Sequence, residues 1–191
     1  MSATALAAPL SVDAFLAWEQ AQELRYELVG GVVRLMAGGT EGHDRIGMSF
    51  VIALGTRLRG SPCSVHGSNL KVVSRAAGAV MYPDLLVRCG PRDDHRTSID
   101  DPVVVVEVLS EGTARYDLIR KRIAYEAMPC LARIVYVAVD EARIDMRVRG
   151  ADGHWRDETA LGLGATLALP EIGVGVPLAE IYADSEIAAS A

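Results

Sequence analysis

The stretch Asp101–Ser110 reads DPVVVVEVLS, four consecutive valines and a Val-Leu pair enclosing one carboxylate, Glu107. An apolar run without alternation is how a strand buried on both faces reads. Downstream, residues 113–128 (TARYDLIRKRIAYEAM) have helical character, and 133–140 (RIVYVAVD) reads as a second strand. Strand, helix, strand is a βαβ crossover, so part of the sheet is expected to be parallel. Working upstream, Ser11 is placed to cap a helix over VDAFLAWEQ, and RYELVGGVVRLM around Gly30-Gly31 is a hairpin signal. Thr40 starts a further helix in which His43, Ile46, Phe50 and Leu54 share a face. Strands are expected near SVHGSNLKVVS and YPDLLVRC, with GPRDDHRTSIDD (90–101) as a polar loop and candidate flap. Beyond 140, RIDMRVRGADGHWRDE is a ribbon turning at GADG, and ATLALPEIGVGVPLAEIY adds short strands and a helical turn. The expected class is α/β, a mixed β-sheet flanked by helices.

A chain of 191 residues, half of them hydrophobic and 23% charged, suits a single domain over 1–191, with flexible tails at about 1–10 and 184–191. No apolar run approaches the ~18–20 residues that cross a bilayer. The three cysteines, Cys63, Cys89 and Cys130, form no paired spacing, which fits a reducing cytoplasm better than a disulfide framework. Cys63 and His66 have a ligand-like gap but no second pair, which argues against zinc. The net charge of −6 argues against a general nucleic-acid coat protein, leaving room for a local basic surface. Of 19 basic residues only Lys71 and Lys121 are lysines, which makes their positions informative.

Carboxylates are seldom buried without a partner. Glu107 shares a pleat face with Val103, Val105 and Leu109, near the C-terminal end of its strand, where open α/β sheets carry their sites. Asp84 in YPDLLV and Glu27 in RYELV repeat the pattern of one acid among apolar neighbours. Three such segments suggest convergence on one centre, most economically a divalent cation. Advancing about 100° per residue along 115–128, Arg115, Arg122 and Glu126 form a solvent stripe. Asp117, Lys121, Ala124 and Met128 fall on the opposite side. Glu107 is therefore expected to share a site with Asp84, a cation and the Lys121 ammonium. Mg²⁺ or Mn²⁺ needs only one or two protein carboxylates and keeps its waters, and an Asp-Glu-Lys set suits phosphodiester cleavage.

These residues, in this order, resemble the PD-(D/E)XK nuclease superfamily, and within it the Uma-two family of restriction-endonuclease-like proteins. The matching pieces are YELVGG (Glu27), His43 in the following helix, YPDLLV (Asp84), VVVVEVLSEGT (Glu107), YDLIRKRIAYE (Asp117, Lys121, Tyr125) and LPEIGVGVPLAEIY, spanning about Val12 to Tyr182. The resemblance implies a restriction-endonuclease-like core and a metal-dependent endonuclease acting on DNA. Asp84, Glu107 and the Val108 backbone carbonyl would be metal ligands, with Glu27 assisting and Lys121 as the basic member. His43, Asp117 and Tyr125 would be supporting residues. One departure stands out: Leu109 occupies the position two after Glu107 where the superfamily carries lysine, and the basic residue is shifted to the helix.

The alternatives are an inactive nuclease-fold module that binds DNA or protein, and a small phosphoester hydrolase. For Glu107 and Asp84 the plain alternative is ion pairing with Arg88 or Arg120. For Asp117 and Lys121 it is a helix-surface pair, and for His43 a packed histidine. A cytoplasmic homodimer is the expected assembly.

Overall fold

The computed structural model describes residues 10–36, 38–109 and 115–189, with the side chains of 115–117 outside that set. The first helix, α1 (Val12–Glu19), is capped by Ser11, whose hydroxyl accepts from the Ala14 N–H at 3.2 Å. β1 (Tyr26–Val29) and β2 (Val32–Leu35) pair antiparallel through Gly30 and Gly31, both at positive φ (58° and 75°) as a tight hairpin turn requires. Thr40 caps α2 (Glu41–Arg57), which buries Ile46, Phe50 and Leu54. Then come β3 (Cys63–Gly67), β4 (Lys71–Ser74), β5 (Ala79–Met81), β6 (Leu85–Cys89), the short β7 (Ser98–Ile99) and β8 (Pro102–Leu109). α3 (Arg115–Glu126) crosses to β9 (Arg133–Ala138), followed by β10 (Arg143–Arg149), β11 (Trp155–Leu161), β12 (Thr166–Leu169), a 3₁₀ turn, β13 (Val174–Pro177), α4 (Leu178–Ile181) and α5 (Glu186–Ala189).

The expected mixed sheet is present, divided into two larger sheets and a ribbon. Six strands run in the order β11-β10-β9-β8-β6-β3, five in the order β2-β1-β5-β4-β7, and β12 pairs with β13. The crossover is as expected: β8 and β9 are parallel, with Glu107 opposite Tyr136. Alternate residues of β8 enter different cores. Val104, Val106 and Val108 pack with α2, the β12–β13 ribbon and α4. Val105 packs on the other side with Leu86, α3 residues Ala124 and Tyr125, and Val72 and Met81 of the five-stranded sheet. Each buried valine stabilises by about 1.5–3 kcal/mol, so both faces of this strand must be apolar. That is why the run shows no alternation.

One expectation is corrected. Cys63 and Cys89 are register partners on β3 and β6 and are joined by a disulfide, Cα to Cα 3.9 Å, while Cys130 is free and exposed. Twenty-six positions separate the pair, and only sheet register brings them together, so local spacing carries no trace of it. No helix among the described residues is long and apolar enough to cross a membrane.

Candidate active site

Four segments meet at the C-terminal end of β8. Glu107 is 7% exposed, and its partners answer the question its burial raises. The Tyr125 hydroxyl donates to Oε1 at 2.7 Å, and the Lys121 ammonium donates to Oε1 and Oε2 at 3.3 and 3.4 Å. Both donors come from α3, four residues apart on the side that also buries Ala124, with Met128 buried just beyond the helix. Lys121 also lies 2.9 Å from Glu27 Oε1, which accepts the Tyr82 N–H at 2.7 Å. The lysine thus bridges an acid on β1 and an acid on β8. Its side chain is 16% exposed, against 14% for Glu27 and 9% for Glu107.

Asp84 lies in the bend before β6. Its Oδ2 accepts the Val108 N–H at 2.7 Å and lies 3.3 Å from His43 Nε2, on α2. His43 also makes a backbone hydrogen bond with Val108. Asp84 is near enough to Glu107 for the two charges to oppose one another. The plain arginine alternative does not describe these acids: Arg88 pairs with Asp101, and Arg120 donates to the Gly30 carbonyl. The Asp117 side chain lies outside the described residues.

Burial pushes the Glu107 carboxyl up to about 7; Lys121 opposes this, Asp84 and Glu27 add to it, and Tyr125 opposes it. Burial pulls the Lys121 ammonium down, but the carboxylates of Glu107 and Glu27 outweigh it and hold the lysine charged. His43 is raised by its hydrogen bond to Asp84, against the downward pull of burial. Two acids thus share one ammonium, and Asp84 adds a third negative charge close enough to raise Glu107.

Among the described residues no group of three or more His, Cys, Asp or Glu side chains is arranged to hold a metal by protein ligands alone. The fit is to a cation that keeps most of its waters and takes one or two carboxylates. Asp84 and Glu107 are the two carboxylates present for such a cation: Asp84 raises the cost of ionising Glu107 and is tied to the end of β8 through the Val108 N–H.

Two participants escaped sequence reasoning. Tyr82 bridges both lysine–glutamate pairs: its backbone N–H binds Glu27, and its hydroxyl donates at 2.7 Å to Glu19, which pairs with Lys71. Burial and Glu19 raise the Tyr82 phenol, keeping it protonated. The scarcity of lysine was the available signal. Both lysines are committed to buried glutamates, one beside the site and one in it.

A family model described as "Putative restriction endonuclease", Uma2, matches residues 12–179. The chain belongs to the Uma2 (Uma-two) family. It is 33% identical over 147 residues to the uncharacterized protein slr1290 of Synechocystis sp. (strain ATCC 27184 / PCC 6803 / Kazusa), covering 76% of this chain and 77% of that protein. A second Synechocystis protein, the uncharacterized sll1609, is 23% identical over 154 residues, 78% of this chain and 85% of the relative. Among solved structures, one described as a "putative nuclease belonging to DUF820" from Anabaena variabilis ATCC 29413 superposes with a TM-score of 0.74 at 13% identity, covering 92% of this chain and 98% of the other. That likeness shows the fold. The Uma2 match spans every element that builds the acid–lysine cluster, from α1 through α3.

Proposed function

We propose that this Uma2 protein is a metal-dependent endonuclease hydrolysing phosphodiester bonds in DNA. The observation that carries the reading is Lys121 bridging Glu27 and Glu107 at the strand end where Asp84 also arrives. Asp84 and Glu107, with the Val108 carbonyl, would hold Mg²⁺ or Mn²⁺, which when bound acidifies water and polarises a phosphoryl oxygen. Lys121 neutralises charge beside the reacting phosphate and orients water against it. Tyr125 holds Glu107 in one rotamer. His43, hydrogen-bonded to Asp84, would serve as a contact to the phosphate or to its water. The position of Lys121 on α3 compensates for Leu109, because an ammonium from the adjacent helix reaches the same carboxylate. A homodimer would pair two such sites across the strands of a duplex.

The test is incubation of plasmid and branched DNA with Mg²⁺, Mn²⁺ or EDTA. Metal-dependent cleavage is expected, reduced at least about a hundredfold in Glu107→Ala and Lys121→Ala, as loss of an electrostatic stabiliser implies. Absence of metal-dependent cleavage on all substrates, or undiminished cleavage by Glu107→Ala, overturns the reading. It would favour the inactive binding module, which the existing hydrogen bonds to every site carboxylate also suit. Cleavage of small phosphoesters with DNA left intact would favour the third reading.

A further inference from the structure

Two stretches that the acid site does not use, Cys63–His66 and the polar loop after β6, meet in a cleft of about 510 Å³. The volume suits a small ligand. Its wall is β3, the outer strand of the six-stranded sheet, where Ser64 and His66 share a face and are hydrogen-bonded at 2.8 Å. Arg88 is the cross-strand partner of Ser64, and the returning loop adds Arg92, Asp93, Asp94 and Arg96. Half-buried Leu70, with Ile99 buried behind the lining, supplies its apolar part. The cleft shares no residue with the acid cluster. Arg88 lies four residues beyond Asp84, about 13 Å along extended chain.

The arginines are arranged for an anion. Arg88 is fixed through Nε to both Asp101 oxygens at 3.0 and 3.1 Å and through Nη1 to the Pro91 carbonyl at 2.6 Å, leaving Nη2 for another acceptor. Arg96 is fixed through Nη1 to Asp101 and Nη2 to Asp100, both at 3.0 Å, leaving Nε. Arg92 is exposed and holds no ion pair among the described residues. Arg88 and Arg96, held in place by carboxylates, and the uncommitted Arg92 line one cleft and offer N–H donors to phosphate oxygens. Burial and the Arg88 charge both lower the His66 imidazole, so it contributes neutral hydrogen bonding.

Asp93 and Asp94 on the same rim would repel a polyanionic backbone. They suit a ligand with one anionic group and a neutral part carrying N–H or O–H donors, and the apolar part suits a flat ring. We propose that this cleft binds a nucleoside monophosphate, its phosphate on Arg88, Arg92 and Arg96 and its base over Leu70.

Calorimetric titration in EDTA, with the acid site kept free of metal, separates this claim from the nuclease reading. The probes are AMP, GMP, CMP and UMP, with adenosine, guanosine and inorganic phosphate as controls and a short DNA duplex as competitor. At least one nucleotide is expected to bind below about 1 mM and at least about tenfold more tightly than its nucleoside or phosphate, as one charge-assisted hydrogen bond or more implies. Arg92→Gln, a change on an exposed side chain, should weaken it about tenfold, while Glu107→Gln leaves it unchanged. Lack of saturation by all four nucleotides to about 10 mM overturns the proposal. So does phosphate binding as tightly as the nucleotide, or nucleotide binding lost in Glu107→Gln and kept in Arg92→Gln. Arg92→Gln weakening duplex DNA alone would make the cleft a backbone contact and overturn it too.

Discussion

Glu107 has more negative neighbours than one lysine neutralises, and this imbalance has measurable consequences. Its folded value near 7 lies above its ordinary 4.5. A group raised on folding stabilises fully below its unfolded value, and that contribution is lost as pH rises through its folded one. His43 is also raised, from 6.5, and acts in the same direction. Metal-free protein should therefore lose about 2–3 kcal/mol between pH 5 and 8 from Glu107, read by urea denaturation in EDTA. Glu107→Gln should flatten that slope, and millimolar Mg²⁺ should restore wild-type stability at pH 8 by binding only the native state. A wild-type profile that is flat or rises over this window would contradict the charge assignment. Removing the cation is harsher. Lys121→Met strips the shared cation from buried Glu107 and half-buried Glu27 and should cost about 3–5 kcal/mol. Adding Glu107→Gln to it should return part of that loss, so the double variant should fall short of additivity.

Among the elements, those defined by local chemistry were legible in the sequence: the Ser11 and Thr40 caps, the Gly30-Gly31 hairpin, the β8–α3–β9 crossover and the inward face of α3. The helical spacing turned Lys121 inward with Ala124, but the expected solvent stripe is corrected. Among the described residues of α3, Ile119 and Ile123 are the exposed positions, while Glu126 is half-buried against Arg147 on β10. The neighbouring strand offers the charged residues ion-pair partners that the sequence of α3 alone does not show. What depends on long-range register was not legible. The strand order that splits the sheet in two is one case. The Cys63–Cys89 bond is another, and Tyr82 joining two lysine–glutamate pairs is a third. The disulfide makes its own prediction. Closing 26 positions is worth about 3 kcal/mol in chain entropy. Reduction, or Cys89→Ser, should then lower Tm by roughly 6–12 °C for a chain of this size, followed by scanning calorimetry with and without a thiol reductant. Equal melting in both conditions, with mass spectrometry showing the bond intact in one, would show that the β3–β6 pairing gains nothing from it. The hairpin turn is similarly exposed to test. Gly30 sits at φ 58°, and an added Cβ would lie 2.6 Å from Arg120 Nη1. Gly30→Ala should destabilise by at least about 1 kcal/mol and loosen β1 against α3.

At the scale of the molecule, the six-stranded sheet separates two cores, and the acid cluster lies where β8 leaves both. α2 delivers His43 from one side, and α3 delivers Lys121 and Tyr125 from the other. The bend before β6 brings Asp84, and β1 of the second sheet brings Glu27. If the proposed reading holds, a chain of net charge −6 is expected to gain its duplex affinity from few phosphate contacts and from the cation. DNA binding should accordingly be weak in EDTA, with a shallow salt dependence, and should strengthen in Mg²⁺; a steep salt slope in EDTA would point to an extended basic track instead. The most direct measurement is a crystal structure after soaking in Mn²⁺, read by anomalous scattering. A peak is expected within coordination distance of both the Asp84 and Glu107 carboxylates, with Lys121 still against Glu27. A soaked crystal with no peak there, its acids held only by Val108, His43, Tyr125 and Lys121, would contradict a metal-dependent site.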